Sequence, residues 1–303
     1  MLSIIIPTKD RAEILQQTLQ KAINATEGFN VEIIVINDGN EFTQKIENQK
    51  IQYHNNPKKG VSAARNFGAS LAISDLLLFL DDDMWITKET IVNIEKIKQE
   101  LNLKENVCCL NWEYPEQLNQ KLATKKIGRY ILNATYNTMK GRISKQLIWK
   151  NTFEEIQGIG SCSFLISKAT FNKIGGYNES IIFQGEDIDM ANKIIQENIK
   201  ILAFTPITCF HNHQDRIDIN GYIDREYRGY ASQAKAEQQG LIQKTNQNDL
   251  KTKFYQLLLP FESIFIFIFN LLPNKKMFDR ISFKLIGILG ALQKMKALQG
   301  NNY

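Results

Sequence analysis

The chain has 303 residues, of which 43% are hydrophobic and 23% are charged, and its formal net charge is +5. This length suffices for one large α/β domain or two smaller ones, and the composition is that of a soluble globular protein. The basic excess includes no stripe of basic and aromatic residues of the kind that binds nucleic acid, so no nucleic-acid partner is expected.

Alternating apolar runs and helical patterns predict an α/β fold, with a mostly parallel, doubly wound sheet flanked by helices. In the first half, the predicted strands cover 2–6, 32–36, 51–54, 76–80 and 107–112, and the predicted helices cover 11–25, 60–74 and 87–101. In the second half, we expect strands over 161–167, 199–204 and 208–210, and helices over 186–198 and 222–239. Residues 115–150 show a less regular pattern.

The four cysteines, Cys108, Cys109, Cys162 and Cys209, show no C-x-x-C spacing. Cys108 and Cys109 are adjacent in a predicted strand, so they should face opposite sides of the sheet. The sequence therefore predicts neither a disulfide framework nor a zinc site, and it favours a reducing, cytoplasmic compartment. The first residues predict a strand rather than a signal peptide.

The C-terminal part predicts a helical tail with an affinity for membranes. Residues 254–272 are nearly all apolar and long enough to cross a bilayer, but Pro260 and Glu262 lie in the middle, where a carboxylate is costly. Residues 278–298 mix apolar and basic side chains, which is typical of a helix in the membrane interface. The alternative is a pair of helices packed on the rest of the chain or on a second copy, which leaves a homodimer open.

The most informative motif is the acidic triplet Asp81, Asp82 and Asp83, which follows the buried strand predicted over 76–80. Three adjacent carboxylates repel one another unless a cation lies among them. A divalent cation carrying a phosphate ligand would satisfy them, and ligands of open α/β sheets bind at the carboxyl ends of strands. The simpler alternative is an acidic loop that caps the next helix.

Other polar residues follow neighbouring strands and should reach the same edge of the sheet. Pro7 and Thr8 end the first strand, Asp38 follows the second, and Arg65 lies in the helix before the fourth. An aspartate there can accept a hydrogen bond from a pyrimidine, and an arginine can neutralise a diphosphate. Each also has a structural explanation, because Asp38-Gly39 is a common turn and Arg65 could pair with a surface acid.

Two further clusters lie later in the chain. Glu186 and Asp187 follow Gly185 at the start of a predicted helix, where one carboxylate could be a general base or simply favour the helix dipole. His211 and His213 are two residues apart and would share one face of a strand. Imidazole beside carboxylates suits a metal such as manganese, although a hydrogen-bonding pair would look the same.

Together these motifs resemble the family 2 inverting glycosyltransferases of the GT-A fold, of the type that builds bacterial cell-surface polysaccharides. The matching segments are Pro7-Thr8, Asn37-Asp38-Gly39, Gly60-x-x-x-Ala64-Arg65-Asn66, the DXD-like Phe79-Leu80-Asp81-Asp82-Asp83, and Gly185-Glu186-Asp187. The resemblance implies a GT-A domain over 1–215, with a nucleotide-sugar half over 1–112 and an acceptor half over 113–215. Residues 216–303 would form the helical, membrane-associating region.

The resemblance also implies a role for each matching residue. Asp187 would be the catalytic base, with Glu186 as the alternative. On the donor side, Pro7 and Thr8 would line the pocket for the nucleotide base, and Asp38 would recognise that base. Arg65 would hold the nucleotide base or the diphosphate, and Asp81 would contact the ribose or the metal. The Mn²⁺ or Mg²⁺ ligands would be Asp83, Asp81 and His211, or less readily His213, whereas Asp82 would not be a ligand.

The implied reaction moves a sugar from a nucleotide-sugar, a UDP-sugar before a GDP- or dTDP-sugar, to a hydroxyl of a glycan or lipid-linked acceptor. The enzyme would be a hexosyl- or N-acetylhexosaminyltransferase, peripheral on the inner face of the cell membrane. The sequence leaves two alternatives, a nucleotidyltransferase acting on sugar phosphates and a non-catalytic sugar-binding relative. The first is disfavoured because Pro7 to Arg11 contains no glycine-rich phosphate loop.

Overall fold

A computed structural model describes residues 1–40, 42, 45–134, 151–181, 184–212, 217–242 and 249–300. These residues form two compact units. The first unit comprises 1–115, 151–181 and 186–212, and the second comprises 116–134, 184–185, 217–242 and 249–300. Residues 116–134, which the sequence assigned to an acceptor half, therefore group with the C-terminal helices, and each unit is described separately.

The strands are β1 Leu2–Thr8, β2 Val31–Asn37, β3 Ile51–Asn55, β4 Leu76–Leu80, β5 Met84–Ile86, β6 Asn106–Glu113, β7 Phe153–Glu155, β8 Ser163–Ser167 and β9 Lys200–His211. The helices of the first unit are α1 Ala12–Ala25, α2 Val61–Leu71, α3 Lys88–Glu100, α6 Lys168–Lys173 and α7 Glu186–Gln196. Those of the second unit are α4 Glu116–Ala123, α5 Lys126–Asn133, α8 Ile219–Gln238, α9 Asp249–Leu258, α10 Glu262–Leu271 and α11 Asp279–Gly300.

The strands of the described chain form one sheet in the order β3-β2-β1-β4-β8-β6-β9-β5, with β7 paired to β9. Strands β1, β2, β3 and β4 are parallel, as are β6 and β9, whereas β8 runs antiparallel to both β4 and β6. Six of these nine strands thus share one direction, which confirms the predicted α/β class. The antiparallel direction of β8 was not predicted.

Strand register brings distant segments to one edge of the sheet. Thr8 lies opposite Asn37 at the ends of β1 and β2, and Leu80 at the end of β4 lies opposite Ser163 at the start of β8. Met84 pairs with His211 at the end of β9, which forms one strand where the sequence predicted two. The loops after β1, β2 and β4, the end of β9 and the loop before β8 therefore share this edge.

The core of the first unit lies on both faces of the sheet, because β1, β2 and β4 are buried along their whole length. Apolar runs of this kind suit strands covered by helices on both sides. Cys108 packs into the cluster on one face and Cys109 into the cluster on the other, as predicted. All four cysteines lie in the described residues and are free thiols.

In the second unit, α11 is the central helix rather than an interfacial one. Its side chains Leu285, Ile286, Leu289 and Leu292 are buried. Arg129 of α5 donates to both carboxylate oxygens of Asp279 at the start of α11, at 2.7–2.9 Å. The structure therefore favours the alternative that the sequence left open for 278–298, a helix packed within the protein.

Phe79 is a sensitive probe of the first unit, because its ring is fully buried between Phe164, Phe171 and Tyr177, at centroid distances of 6.3, 5.2 and 5.4 Å. We expect Phe79→Ala to lower the free energy of unfolding by about 3–5 kcal/mol, since it leaves a cavity at this junction. Urea unfolding followed by circular dichroism measures the loss. The control Val92→Ala, on the exposed side of α3, should change stability by less than about 0.5 kcal/mol.

Candidate active site at the edge of the sheet

The three carboxylates of the acidic triplet point to different partners. Asp81 accepts a hydrogen bond from Nη2 of Arg65 at 2.9 Å. Asp82 accepts from Oγ1 of Thr8 at 2.7 Å and pairs with Arg11, which also donates to Asp83 at 2.9 Å. Two arginines from distant parts of the chain thus supply the positive charge that the sequence required at this point.

Asp82 points into the protein, as expected for a residue that is not a ligand. Burial raises the pKa of its carboxyl to about 7, and the neighbouring charge of Asp83 adds to this, while Arg11 and the Thr8 hydroxyl oppose it. Its backbone carbonyl also accepts a hydrogen bond from Thr18 at 2.6 Å. The residue therefore secures the turn after β4 to α1 and to the end of β1.

Asp83 and His211 are brought together by the pairing of β5 with β9. Nε2 of His211 lies 3.3 Å from Oδ1 of Asp83, and the amide of Asn212 donates to the Asp83 carbonyl at 2.7 Å. The edge of Trp112 packs against the imidazole ring, with centroids 4.8 Å apart. His213 lies outside the described residues.

This pair alone does not complete a metal site. Among the residues that the structure describes, no group of three or more His, Cys, Asp or Glu side chains is arranged to hold a metal ion. A carboxylate oxygen and an imidazole nitrogen are nevertheless a fitting donor set for Mn²⁺, and Mg²⁺ or Mn²⁺ sites commonly take further oxygens from a bound phosphate. Asp83 and His211 therefore fit a cation that arrives together with a diphosphate.

Asp38 organises the loop at the ends of β2 and β3. Its Oδ1 accepts hydrogen bonds from Nδ2 of Asn56 at 2.7 Å and from the amide of Gly60 at 2.8 Å, just before α2. Its Oδ2 lies 3.3 Å from the amine of Lys9, which is largely exposed. One oxygen of Asp38 is thus engaged in the protein, whereas the other faces a group that a ligand can displace.

The next residue, Gly39, is required by close packing. Asp10 has a left-handed backbone, with φ of 52°, and its Oδ1 accepts from the amide of Asn40 at 2.9 Å. A Cβ on Gly39 would collide with the Asp10 carboxylate. Glycine at this position therefore reflects contact with the loop after β1 as well as turn preference.

Arg65 connects the acidic triplet to the start of α7. The residue is 3% exposed, and its terminal nitrogens lie 2.9 Å from Asp81 and 3.2 Å from Glu186. Its guanidinium lies 5.2 Å from the ring centroid of Tyr177. Burial disfavours the charged form, but the interactions with Tyr177, Asp81 and Glu186 outweigh burial, so the pKa of Arg65 is raised.

This geometry adds a positioning role to the role expected of Arg65. The sequence placed it on the base or diphosphate of a donor, but both of its terminal nitrogens pair with carboxylates of the protein. The guanidinium carries five N–H groups, and its buried Nε has no hydrogen-bond partner among the described residues. Arg65 therefore positions Asp81 and Glu186, and its contact with a donor stays a prediction.

Asp187 has different partners from its neighbour Glu186. The hydroxyl of Ser161 donates to Oδ1 of Asp187, and the same hydroxyl lies 2.7 Å from Oη of Tyr177. Burial raises the pKa of Asp187 to about 7, and the charge of Glu186 adds to this, while Arg65 and Ser161 lower it. The first turn of α7 thus holds one carboxylate neutralised by an arginine and one that can exchange a proton near neutral pH.

Three residues of this site were not assigned from the sequence, namely Arg11, Ser161 and Tyr177. Arg11 directly follows the first strand, and a search for cations near the acidic triplet could have found it. Tyr177 lies in the Gly-Gly-Tyr turn, where Asn66 exchanges hydrogen bonds of 2.9 Å with its backbone and Gly176 has φ of +63°. Ser161 carries no local signal, because only the antiparallel pairing of β8 places it here.

The structure brings most of the predicted residues together. Asp81, Glu186 and Asp187 surround Arg65, and Asp83 lies beside His211. Thr8 joins them through Asp82, and its carbonyl accepts from the amide of Asp38 at 2.8 Å, whereas Pro7 is part of β1, opposite Ile36. The roles that the sequence suggested for these residues stay predictions.

Comparison with known proteins gives a family match and several relatives. Residues 3–241 match the model of the family described as glycosyltransferase like family 2. An uncharacterized glycosyltransferase of Rickettsia felis is 27% identical over 205 residues, which cover 59% of this chain and 32% of the relative. An uncharacterized glycosyltransferase of Haemophilus influenzae is 27% identical over 212 residues, which cover 68% of this chain and 64% of the relative. The chain thus spans only about a third of the Rickettsia relative.

Three further similarities have informative names. The minor teichoic acid biosynthesis protein GgaB of Bacillus subtilis is 32% identical over 102 residues, which cover 30% of this chain and 11% of that protein. Among solved structures, residues 1–349 of S. aureus TarS superpose with a TM-score of 0.50 at 13% identity, covering 99% of this chain and 91% of the other. The structure of GalNAc-T7 with UDP, GalNAc and Mn²⁺ superposes with a TM-score of 0.52 at 15% identity, covering 70% of this chain and 43% of the other. These structures show the GT-A fold.

Arg11 should be essential for the stability of this edge, because it pairs with the two most buried acids of the triplet. We expect Arg11→Met to lower the free energy of unfolding by roughly 3 kcal/mol, since loss of the guanidinium leaves the buried carboxyls of Asp82 and Asp83 to repel each other or to take up a proton. Chemical denaturation at neutral pH measures the effect. The control Lys58→Met removes an ion pair of 2.7 Å in which the lysine is 71% exposed. It should cost less than about 1 kcal/mol, and equal losses in the two variants would contradict the prediction.

Proposed function

Because the chain belongs to the glycosyltransferase like family 2 proteins and is a glycosyltransferase of GT-A fold, we propose that it transfers a hexose or N-acetylhexosamine from a nucleotide-sugar, with inversion. The donor is a UDP-sugar, and the acceptor is a hydroxyl of a glycan or lipid-linked molecule. The observation that carries this proposal is the bridge made by Arg65, which holds Asp81 and the first turn of α7 at one place.

Asp187 is the catalytic base of this proposal. Glu186 is neutralised by Arg65, whereas Asp187 is held by Ser161 and has a pKa raised by burial to about 7. A carboxylate with such a pKa accepts a proton efficiently at neutral pH. The acceptor oxygen gives its proton to Asp187 as it bonds to the anomeric carbon, and the bond from that carbon to the diphosphate oxygen breaks.

The donor is held by the residues after β1, β2 and β4. The backbone of Pro7 and Thr8 lines the pocket for the nucleotide base. Asp38 offers its Oδ2 to the nucleotide base once Lys9 moves away. Asp81 contacts the ribose or the cation, since its side chain is 35% exposed although one oxygen is bound to Arg65. Arg65 holds the nucleotide base or the diphosphate, and its ion pair also keeps Asp81 in place.

Asp83 and His211 hold a Mn²⁺ or Mg²⁺ ion in this proposal, with His213 as a further candidate. Arg11 engages Oδ2 of Asp83, so Oδ1, which faces His211, is the oxygen offered to the metal. When bound, the ion supplies positive charge that stabilises the departing nucleoside diphosphate. The Mn²⁺ and UDP named in the GalNAc-T7 structure support this choice.

The product belongs to a cell-surface polysaccharide. The name of the Bacillus subtilis relative, a minor teichoic acid biosynthesis protein, supports such a pathway although the match covers only 30% of this chain. A lipid-linked acceptor would be reached at a membrane, so the protein works in the cytoplasm, peripherally on the inner face of the cell membrane.

The pH dependence tests the base. Asp187 must be ionised to accept a proton, so activity is lost as the pH falls through its pKa of about 7. We expect the pH profile of kcat/KM for UDP-N-acetylglucosamine or UDP-glucose, measured by UDP release, to fall in this way on its acidic side, which is called the acidic limb below. Asp187→Asn should lower kcat by about 10²–10⁴-fold while donor binding is retained. Full activity of Asp187→Asn would show that Asp187 is not the base.

Ser161 provides a matched test of the acidic limb of the kcat/KM profile. Its hydrogen bond lowers the pKa of Asp187, so Ser161→Ala should move the acidic limb to higher pH, and Ser161→Thr should restore it. A serine that only supports the fold would lower activity equally at every pH. An unchanged profile in Ser161→Ala would therefore exclude this positioning role.

A thermal-shift screen tests the donor and the metal. We expect UDP-sugars with Mn²⁺ to raise the melting temperature more than GDP- or dTDP-sugars do, because ligands that bind only the folded state stabilise it. Asp83→Asn and His211→Ala should abolish the Mn²⁺-dependent part of the shift but leave a smaller shift from the nucleotide. A Mn²⁺-dependent shift of wild-type size in both variants would place the metal elsewhere.

A further inference from the structure

The second unit carries an apolar stripe along α9 and α10. Apolar residues recur every three or four positions from Leu250 to Leu271, through Phe254, Leu257, Phe261 and Ile264, and each is exposed. Leu257 is 74% exposed, and Phe267, beside the stripe, is 62% exposed. A soluble protein rarely exposes so long an apolar surface unless it binds something there.

The stripe is continuous although the helix is interrupted. Residues Leu259–Phe261 form a 3₁₀ turn around Pro260 between α9 and α10. Of the described residues, one helical stretch, Leu250–Leu271, is long and apolar enough to cross a membrane by length and composition. Very little of it is buried, so the rest of the second unit does not cover it.

Polar contacts at both ends of α10 argue that this stretch does not cross a bilayer. Glu262 accepts from Nε2 of Gln293 at 2.7 Å and pairs with Lys296, and both partners belong to α11. At the other end, Nζ of Lys126 donates to the carbonyl of Leu272 at 2.6 Å and lies 4.5 Å from the ring centroid of Phe269. A crossing helix would have to leave these partners or draw charged groups into hydrocarbon.

The charges around the stripe are basic. Lys251 and Lys253 lie on α9, and Lys275, Lys276 and Arg280 follow α10, all on exposed positions. Two nearby acids are neutralised within the protein, since Glu262 pairs with Lys296 and Asp279 pairs with Arg129. Asp249, at the start of α9, is a third nearby acid. Exposed lysines and arginines beside an apolar surface complement anionic lipid headgroups.

A second copy of the chain is a poorer occupant. The spacing resembles a coiled-coil seam, whose flanking positions normally carry opposite charges that pair between helices. Here the flanking positions are Lys251 and Lys253 and then Leu258, Pro260 and Phe265. Two such helices would bring lysines together and would expose further apolar side chains.

We propose that the stripe on α9 and α10 docks into the headgroup region of an anionic bilayer, with the helix axis lying in the plane of the membrane. This inference specifies the membrane partner of the proposed function. It does not depend on the transfer chemistry, because it rests on the second unit alone.

Vesicle binding by the full-length protein tests the docking surface. The probe is co-sedimentation, without donor, with vesicles of phosphatidylcholine or of equal parts phosphatidylcholine and phosphatidylglycerol. Ile264→Glu is compared with Val92→Glu, because both residues are aliphatic, lie on helices and are 50% and 51% exposed. We expect Ile264→Glu to weaken binding to the anionic vesicles at least about tenfold and Val92→Glu to leave it unchanged.

Two further variants test the charge and the orientation. Lys275→Gln and Lys276→Gln should each weaken binding about fivefold, on anionic vesicles only. Glu262→Gln should give no tighter binding if the helix lies in the plane. A tighter, salt-resistant association of Glu262→Gln would instead indicate a crossing helix and overturn the proposal.

Two other outcomes would also overturn it. Equal binding of Ile264→Glu and Val92→Glu would exclude the stripe as the docking surface. A dimer in sedimentation velocity that dissociates in Ile264→Glu, without vesicle binding by the wild type, would identify a second copy as the occupant. UDP release in solution by Ile264→Glu should equal that of the wild type, so failure of docking is distinguishable from failure of the proposed transfer.

Discussion

The site depends on the neutralisation of carboxylates that crowd one edge of the sheet. Arg65 and Arg11 each bind two acids, Asp81 with Glu186 and Asp82 with Asp83. Unpaired charges this deeply buried would destabilise the fold by several kcal/mol. Because both arginines come from the loops and helices after β1 and before β4, the electrostatic balance also joins segments that are distant in the chain.

The carboxylates of the site differ in their hydrogen-bond partners and in their pKa values, and the proposed chemistry depends on this difference. Glu186 is held by an arginine, whereas its neighbour Asp187 accepts a hydrogen bond from Ser161 and has a raised pKa. In the same way, Asp82 is buried against Thr8, while the side chain of Asp81 is 35% exposed. Adjacent residues of one type thus differ in role because their side chains leave the backbone in different directions.

The second unit carries the apolar surface on which the proposed membrane docking rests. Its central helix α11 is buried, and it holds α10 through Gln293 and Lys296, so the apolar side chains of α9 and α10 stay directed outwards. A rigid apolar surface of this kind loses little conformational entropy when it docks, since its side chains lie on an ordered helix. The proposed transfer chemistry and the proposed membrane docking can therefore be altered by independent substitutions.

Much of this protein could be predicted from the sequence because its signals are local. The buried strand Leu76–Leu80, the acids after it and the alternation of Cys108 with Cys109 depend only on neighbouring residues and on the period of a strand. The parallel order of β1 to β4 then places Asp38 and Asp81 at one edge. The family resemblance extended this reading to the GT-A fold.

Only the tertiary structure decided the partners of the charges. The antiparallel pairing of β8 brings Ser161 to Asp187, and packing of α7 brings Glu186 to Arg65, which the sequence had assigned to a ligand. The same holds for α11, whose basic and apolar residues suggested a membrane helix until Arg129 and α8 were seen to enclose it. A side chain's partner depends on which distant segment folds against it, and no local pattern contains that information.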